Sequence, residues 1–232
     1  AYFELLGIPQ SSCDYYQAAL TFNKRDLLSV LKPYGIKTAT SYYLNQGDKI
    51  DEDEIINKVG LPCFVKPNKS GSSFGISKVK TKDELDYAIV NAYKEDNEII
   101  IESFLDGTEV SVGVINYQGE ITVLPITEIV SENDFFDYEA KYLGKSQEIT
   151  PARISDEMTA KVSEVAKRVY QILKMTGFSR SEYIIVNGEP HLLEVNTIPG
   201  LTTESLIPQQ AKAAGISLTD LFSNAIELSL KK

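Results

Sequence analysis

The stretch from Phe178 to Gly200, FSRSEYIIVNGEPHLLEVNTIPG, limits the fold more than any other part of the chain. Its arms are rich in Ile, Val, Tyr and Leu and flank Asn187-Gly188, the composition of two strands around a tight turn. Arg180 and Glu182 lie two apart on the first arm, Glu194 and Asn196 two apart on the second, and residues at that spacing share a strand face. Register decides whether the two pairs share one face. A two-residue turn pairs Val186 with Glu189, sets Glu182 opposite Leu193 and turns Glu194 to the other side. An odd loop, such as a type I turn closed by Gly188 in a G1 bulge, restores the match, and so does a bulge. Two carboxylates and an amide then line up as hard oxygen ligands suited to magnesium in an ATP-using enzyme. Otherwise the hairpin is an amphipathic ribbon with a solvated polar face.

The 232 residues fit one large or two small domains, with a soluble globular composition. A formal net charge of −10 argues against nucleic-acid partners, whose phosphates demand a basic face. Cys13 and Cys63 lack metal-ligand spacing and fit two reduced thiols in a cytoplasmic protein. The single histidine, His191, excludes His-rich metal sites and argues against a histidine triad. No apolar run approaches a membrane span, and no signal peptide is evident, so no membrane association is expected. The chain opens at Ala1 without methionine and reads as entered partway through a domain.

Strand and helix patterns alternate, and strand-to-strand hairpins recur, which makes the expected class α+β. Residues 1–21 read as a connecting region. NKRDLLSVLKPYG reads as an amphipathic helix capped by Asn23, IKTATSYYL as a strand, and DEDEIINKVG as a helix stopped at Gly60. LPCFVKP and ISKVKT read as strands around the loop NKSGSSFG. KDELDYAIVNAYKED is helical behind Thr81, NEIIIESFL is a strand, and TEVSVGVINYQGEITVLPITEIV a hairpin turning near Gln118-Gly119. Residues 131–153 lack a clear period and read as a long surface loop of the kind that forms lids. A long helix ends at Gly177, and two helices follow the Phe178–Gly200 hairpin.

The loop Lys69–Gly75 lies between strands, unlike a P-loop or a dinucleotide fingerprint, which open helices. Gly71 and Gly75 let several backbone N–H groups face one anion, Ser72 and Ser73 add hydroxyl donors, and Lys66 adds charge. A polar hairpin tip is the plainer alternative.

In order and spacing, FNKRDLLSVLKPYGI, PCFVKPNKSGSSFGISKV, IESFLDGTEVSV, FFDYEAKYL and LLEVNTIPGLTTESLIP resemble the ATP-grasp superfamily, and within it the D-alanine–D-alanine ligases. The resemblance covers nearly the whole chain. It implies an ATP-grasp fold of two α+β subdomains clamping ATP, with residues 22–103 as the central subdomain and 104–232 as the C-terminal one. Residues 1–21 would be the remnant and linker of a preceding substrate domain, through which full-length relatives form homodimers. The implied reaction is phosphorylation of one D-alanine carboxylate by ATP, followed by attack of a second D-alanine's amine. Its product serves peptidoglycan synthesis. The alternatives are an Mg-ATP-binding fragment without complete activity and another ATP-grasp carboxylate–amine ligase.

Residue by residue, the resemblance gives Lys24 and Lys66 to the phosphates, with Ser72 and Ser73 in the loop. Glu102, Phe104 and Leu105 match the adenine-binding stretch, Glu109 a ribose-binding acid, and Phe135 and Leu193 further nucleotide contacts. Glu182, Glu194 and Asn196 match ligands of two Mg2+ or Mn2+ ions. Arg180 matches the transition-state arginine, and Lys141 a lysine near the γ-phosphate. Ser72 and Tyr142 link loop to lid, the tyrosine accompanying D-alanine as second substrate. Gly200, Ser205 and Leu206 fall at the second substrate, where a helix N-terminus suits a carboxylate. The chain departs from the family at Glu182, where aspartate is usual. Glu4 falls near the first-substrate region.

Overall fold

The computed structural model describes residues 1–131 and 146–231. Phe135, Lys141 and Tyr142 lie outside the described residues. Two antiparallel sheets carry the architecture. The smaller joins β1 (Ser41–Asn45), β2 (Cys63–Pro67), β3 (Ser77–Val79) and β4 (Glu98–Ser103) in the order β1-β4-β2-β3. Its core face packs Cys63, Val65, Ile99 and Ile101 against helices α4 (Glu52–Val59) and α5 (Leu85–Ala92). Asp51 caps α4 through Glu54 N, and Gly60, at φ 76°, ends it as the sequence suggests.

The larger sheet contains β5 (Thr108–Tyr117), β6 (Glu120–Val123), β7 (Thr127–Ser131), β8 (Ser146–Ile149), β9 (Phe178–Val186) and β10 (Glu189–Asn196). Its order is β10-β9-β5-β7-β8, with β6 continuing beside β5 after a break at 124–126. β5 is buried on both faces from Val110 to Ile115, which its near-continuous apolar run anticipates. Val110, Val112 and Val114 face helix α6 (Asp156–Ile172), whose Val162, Ala166, Val169 and Tyr170 form one stripe. On the opposite face, Ile115 packs with α7 (Leu206–Ala213) and α8 (Leu218–Leu230). The uncovered half of that face becomes the site.

Several expectations change. Residues 1–21 are more than a connector: they contain α1 (Tyr2–Leu5) and α2 (Tyr15–Phe22). Asp14 and Gln17 close a capping box at the start of α2, and Cys13, Gln17 and Thr21 are buried. Second, Leu27 and Leu31 of α3 (Lys24–Leu31), with Ile36, join the core of the larger sheet. Packing therefore puts α2 and α3 with β5–β10. Third, the end of the expected long loop is β8, paired antiparallel with β7 from Ser131↔Ser146 to Glu128↔Ile149. Four residues are too few to show a strand period against a polar background. The expected strand over 36–44 is shortened to β1, with Thr38 bridged in parallel to Leu192 instead. Cys13 and Cys63 are both buried free thiols, and burial pushes Cys63 up to about 11.

Candidate functional site

The hairpin solves its register problem in an unanticipated place. Asn187 and Gly188 make a two-residue turn with φ 49° and 75°, pairing Glu189 with Val186. That is the primed-turn geometry that Asn-Gly favours, not an odd loop. The correction comes six residues later. Leu192 pairs with Tyr183 and Glu194 with Glu182, leaving Leu193 as the extra residue of a bulge. Leu192 and Val195 both enter the core, while Leu193 and Glu194, consecutive in sequence, both line the cleft. Glu182 and Glu194 thus share a face, with Arg180 and Asn196 paired on the next rung of that face.

Two adjoining cavities meet at these carboxylates. The first, of about 420 Å³, lies between the sheets and is bounded by Lys66, the Ser70–Phe74 loop, the Glu102–Glu109 crossing, Ile184 and Leu193. The second, of about 800 Å³, reaches Arg180, Asn196, Gly200, Ser205 and Leu206. Lys24, Ser72, Glu182 and Glu194 line both. All described nucleotide candidates (Lys24, Lys66, Ser72, Ser73, Glu102, Phe104, Leu105, Glu109 and Leu193) line the first cavity.

Several charges in this cleft form pairs. Lys66 Nζ lies 2.8 Å from Glu102 Oε2, with side chains 15% and 5% exposed. Burial acts to lower the Lys66 ammonium, but the Glu102 carboxylate, then Glu194 and Glu109, raise it overall. Glu102, matched in sequence to the adenine stretch, is thus also the counter-ion of Lys66, the lysine matched to the phosphates. Lys66→Met leaves Glu102 buried and unpaired, so stability in urea should fall by about 3 kcal/mol. Adding Glu102→Leu should recover most of it. Equal losses in the single and double variants would mean that the pair is not coupled.

Lys24 Nζ donates to Ser70 O at 3.0 Å and lies 3.9 Å from Glu194 Oε2. Its backbone is fixed by Asn68, which is fully buried and which sequence reasoning missed. Asn68 O accepts from Lys24 N at 3.3 Å, and Asn68 Oδ1 from Arg25 N at 2.9 Å. Its Nδ2 donates to Asn23 Oδ1 and Glu98 Oε2. A side chain of the smaller sheet thereby helps cap the helix that presents Lys24.

The loop after Asn68 bends differently from expectation. Ser72 and Ser73 hold φ 52° and 60°, whereas Gly71 is outside the left-handed region and a Cβ there would meet nothing within 4 Å. Gly75 is the constrained glycine: at φ +70°, its Cβ would press on Pro67 and Glu95 at 2.8 Å.

Arg180 Nη2 donates to Glu182 Oε1 at 2.9 Å. Its Nε is buried with no hydrogen-bond partner among the described residues, a donor held inside the cleft. Glu148 also lines the second cavity and was missed, because β8 was read as loop. Desolvation raises its carboxyl, with Arg180 lowering and Glu182 raising it further. Glu128, another omission, lines the first cavity and binds Arg153 through both oxygens at 2.8 Å. The Arg153 hydrogen bond holds it below the usual carboxylate range. Its apolar-flanked setting, TEIV, carries no sequence sign of this.

At the far end, Ser205 Oγ bonds the Thr202 N–H and hydroxyl and does not cap its own helix. The α7 N-terminus therefore keeps its first-turn donors for another acceptor. A Cβ on Gly200 would lie 2.6 Å from Ser205 Oγ, which accounts for glycine there. Among the described residues no three His, Cys, Asp or Glu groups gather as a metal cluster. The hard-donor set on offer is Glu182, Glu194 and the Asn196 amide.

Two antiparallel sheets facing each other across a lysine-lined cleft, with a carboxylate floor on the larger, define the ATP-grasp ligases. The model of the D-Ala–D-Ala ligase C-terminus matches residues 30–227, and the chain belongs to the D-alanine–D-alanine ligase family. It is 83% identical over 230 residues to the D-alanine–D-alanine ligase of Flavobacterium johnsoniae, covering 99% of this chain and 71% of that protein. The crystal structure of the Bacillus anthracis D-alanine–D-alanine ligase complexed with ATP matches with TM-score 0.86 at 30% identity, covering 99% of this chain and 73% of that one. The VanG D-Ala:D-Ser ligase of Enterococcus faecalis matches with TM-score 0.85 at 35% identity, covering 98% and 67%.

Proposed function

We propose that the chain carries out ATP-dependent joining of two D-alanines. ATP phosphorylates the carboxylate of the first, and the amine of the second displaces phosphate from the acyl phosphate. The product, D-alanyl-D-alanine, serves cytoplasmic steps of peptidoglycan synthesis. The observation that carries this reading is the meeting of two cavities at Glu182 and Glu194, one bounded by a lysine-bearing phosphate loop, the other by an uncapped helix N-terminus.

Lys24 and Lys66 neutralise phosphate oxygens, with Ser72 and Ser73 adding donors from the loop. Phe104, Leu105 and Leu193 hold the adenine, Glu102 lies beside it, and Glu109 faces the ribose. Arg180 stabilises the charge that develops on the oxygen of the tetrahedral intermediate, its buried Nε supplying a preorganised donor. Gly200, Ser205 and Leu206 receive the second carboxylate at the helix N-terminus. Phe135, Lys141 and Tyr142 complete the nucleotide and lid contacts by family likeness.

Glu182, Glu194 and Asn196 fit a hard divalent cation such as Mg2+ or Mn2+, being oxygen donors on one sheet face. Such ions supply positive charge to the phosphates when bound. Arg180 and Lys24 already lean on those carboxylates, so metal binding shares or displaces these ion pairs. A second reading is Mg-ATP binding without complete turnover, favoured by the gathering of all the described nucleotide candidates on the first cavity. Phosphate release from Mg-ATP, with and without D-alanine, separates them. Release that depends on D-alanine is expected; ATP binding with no such release would overturn the catalytic reading and leave the second.

A further inference from the structure

We propose that Gln210 is a positioning residue for the second substrate, fixing the helix whose N-terminus receives that substrate's carboxylate. The proposal rests on the carboxylate reading of Ser205 and Leu206 given above.

β5 pairs with β7 as far as Ser111↔Thr127 and with β6 from Val114↔Val123. Between these ladders the neighbouring chain bends away at 124–126, though Leu124 N still reaches Gly113 O at 2.8 Å. In an antiparallel ladder a residue's N–H and C=O point to the same neighbour, so the Gly113 N–H faces the gap. Gln210 fills it. Its Oε1 accepts from Gly113 N at 2.9 Å, and its Nε2 donates to Ser111 O at 3.0 Å and Thr127 Oγ1 at 2.9 Å. Thr127 Oγ1 in turn lies 2.6 Å from Thr150 Oγ1, just beyond β8. One fully buried amide thus replaces the missing rung and joins α7 to β5, β7 and the end of β8.

Gly113 makes this possible. A Cβ there would come within 2.5 Å of Gln210 Oε1 and 2.6 Å of Ile207 Cδ1, so its absence lets α7 settle directly on the strand. Leu206 and Gln210 are four apart, on one face of an eight-residue helix. Three polar groups on the sheet therefore fix both the height and the rotation of the turn that presents Ser205 and Leu206. An apolar replacement of similar size strips Gly113 N–H and Ser111 O of this partner, leaves Thr127 Oγ1 with Thr150 alone, and leaves the helix seated by packing.

Gln210→Leu should raise KM for the second D-alanine about tenfold, while KM for ATP stays within about twofold. Amide hydrogen exchange should accelerate across 206–213 and at Gly113 and stay unchanged across α6. Equal changes in both KM values, an unchanged second-substrate KM, or unchanged exchange in α7 would each overturn the proposal. If Gln210→Leu does not fold, Gln210→Glu keeps the length and the acceptor for Gly113 and is read by the two KM values and by exchange across 206–213. Ser205→Ala tests the underlying reading separately: an unchanged second-substrate KM there marks failure of the carboxylate assignment, whatever Gln210 does.

Discussion

Arg180→Met should lower kcat by about 10²–10³-fold, the usual cost of removing a preorganised donor from a developing charge. Met matches much of the stem's volume, so packing changes little and the charge is the main loss. The same substitution strips Glu182 of its 2.9 Å partner, and the Glu182 side chain is only 7% exposed. An unpaired buried carboxylate should then cost about 3 kcal/mol of stability. Adding Glu182→Gln separates the two effects: stability returns while turnover stays low. Magnesium offers a second check, because a metal held at Glu182, as proposed, would replace the lost positive charge. Mg2+ should therefore raise the Tm of Arg180→Met more than that of the unsubstituted chain. An undiminished kcat would remove Arg180 from the transition state.

Glu194→Gln should reduce turnover by at least about a hundredfold, more than the loss typical of an outer-shell partner of a metal. The fold should stay intact. Glu194 is 34% exposed and 3.9 Å from Lys24, so its ion pair is screened and worth little, and stability should change by less than about 0.5 kcal/mol. A Mg2+ titration at saturating ATP is the measurement, and the apparent metal requirement should move to higher concentration. Unchanged turnover across the titration would mean that the metal lies elsewhere.

Much of this site could be read from residue order because it depends on strand parity. Glu182 with Arg180, and Glu194 with Asn196, are paired by spacing alone, and the carboxylates' common face follows once the chain gains one residue. Where that residue goes was harder to see. Leu192 and Leu193 are both apolar, so alternation does not reveal which one enters the core. The cue is three-residue spacing between Leu192 and Val195, both buried, with a carboxylate between them. The α2 helix carried an Asp-x-x-Gln capping signal at Asp14 and Gln17, obscured by the aromatic Tyr15-Tyr16 pair. The attachment of α3 to the larger sheet had no local cue, since Leu27 and Leu31 specify an apolar face but not its partner. Asn68 and Gln210 belong to the same class. Each is an ordinary amide in sequence and becomes informative only when the backbone groups around it are known.

Because Leu193 is the surplus residue of β10, the strand is written in two phases. Before it, odd positions face one side of the sheet; after it, even ones do. The join falls between Leu193, which lines the first cavity, and Glu194, the residue assigned to the metal. Loss of Leu193 itself would leave both phases aligned, with Glu194 still opposite Glu182. Loss of a residue beyond the Leu192-Leu193 pair, such as Val195, would turn part of the strand inside out. The hairpin's length is therefore guarded almost everywhere and adjustable at one point, where a change alters the wall of the first cavity while sparing the carboxylates.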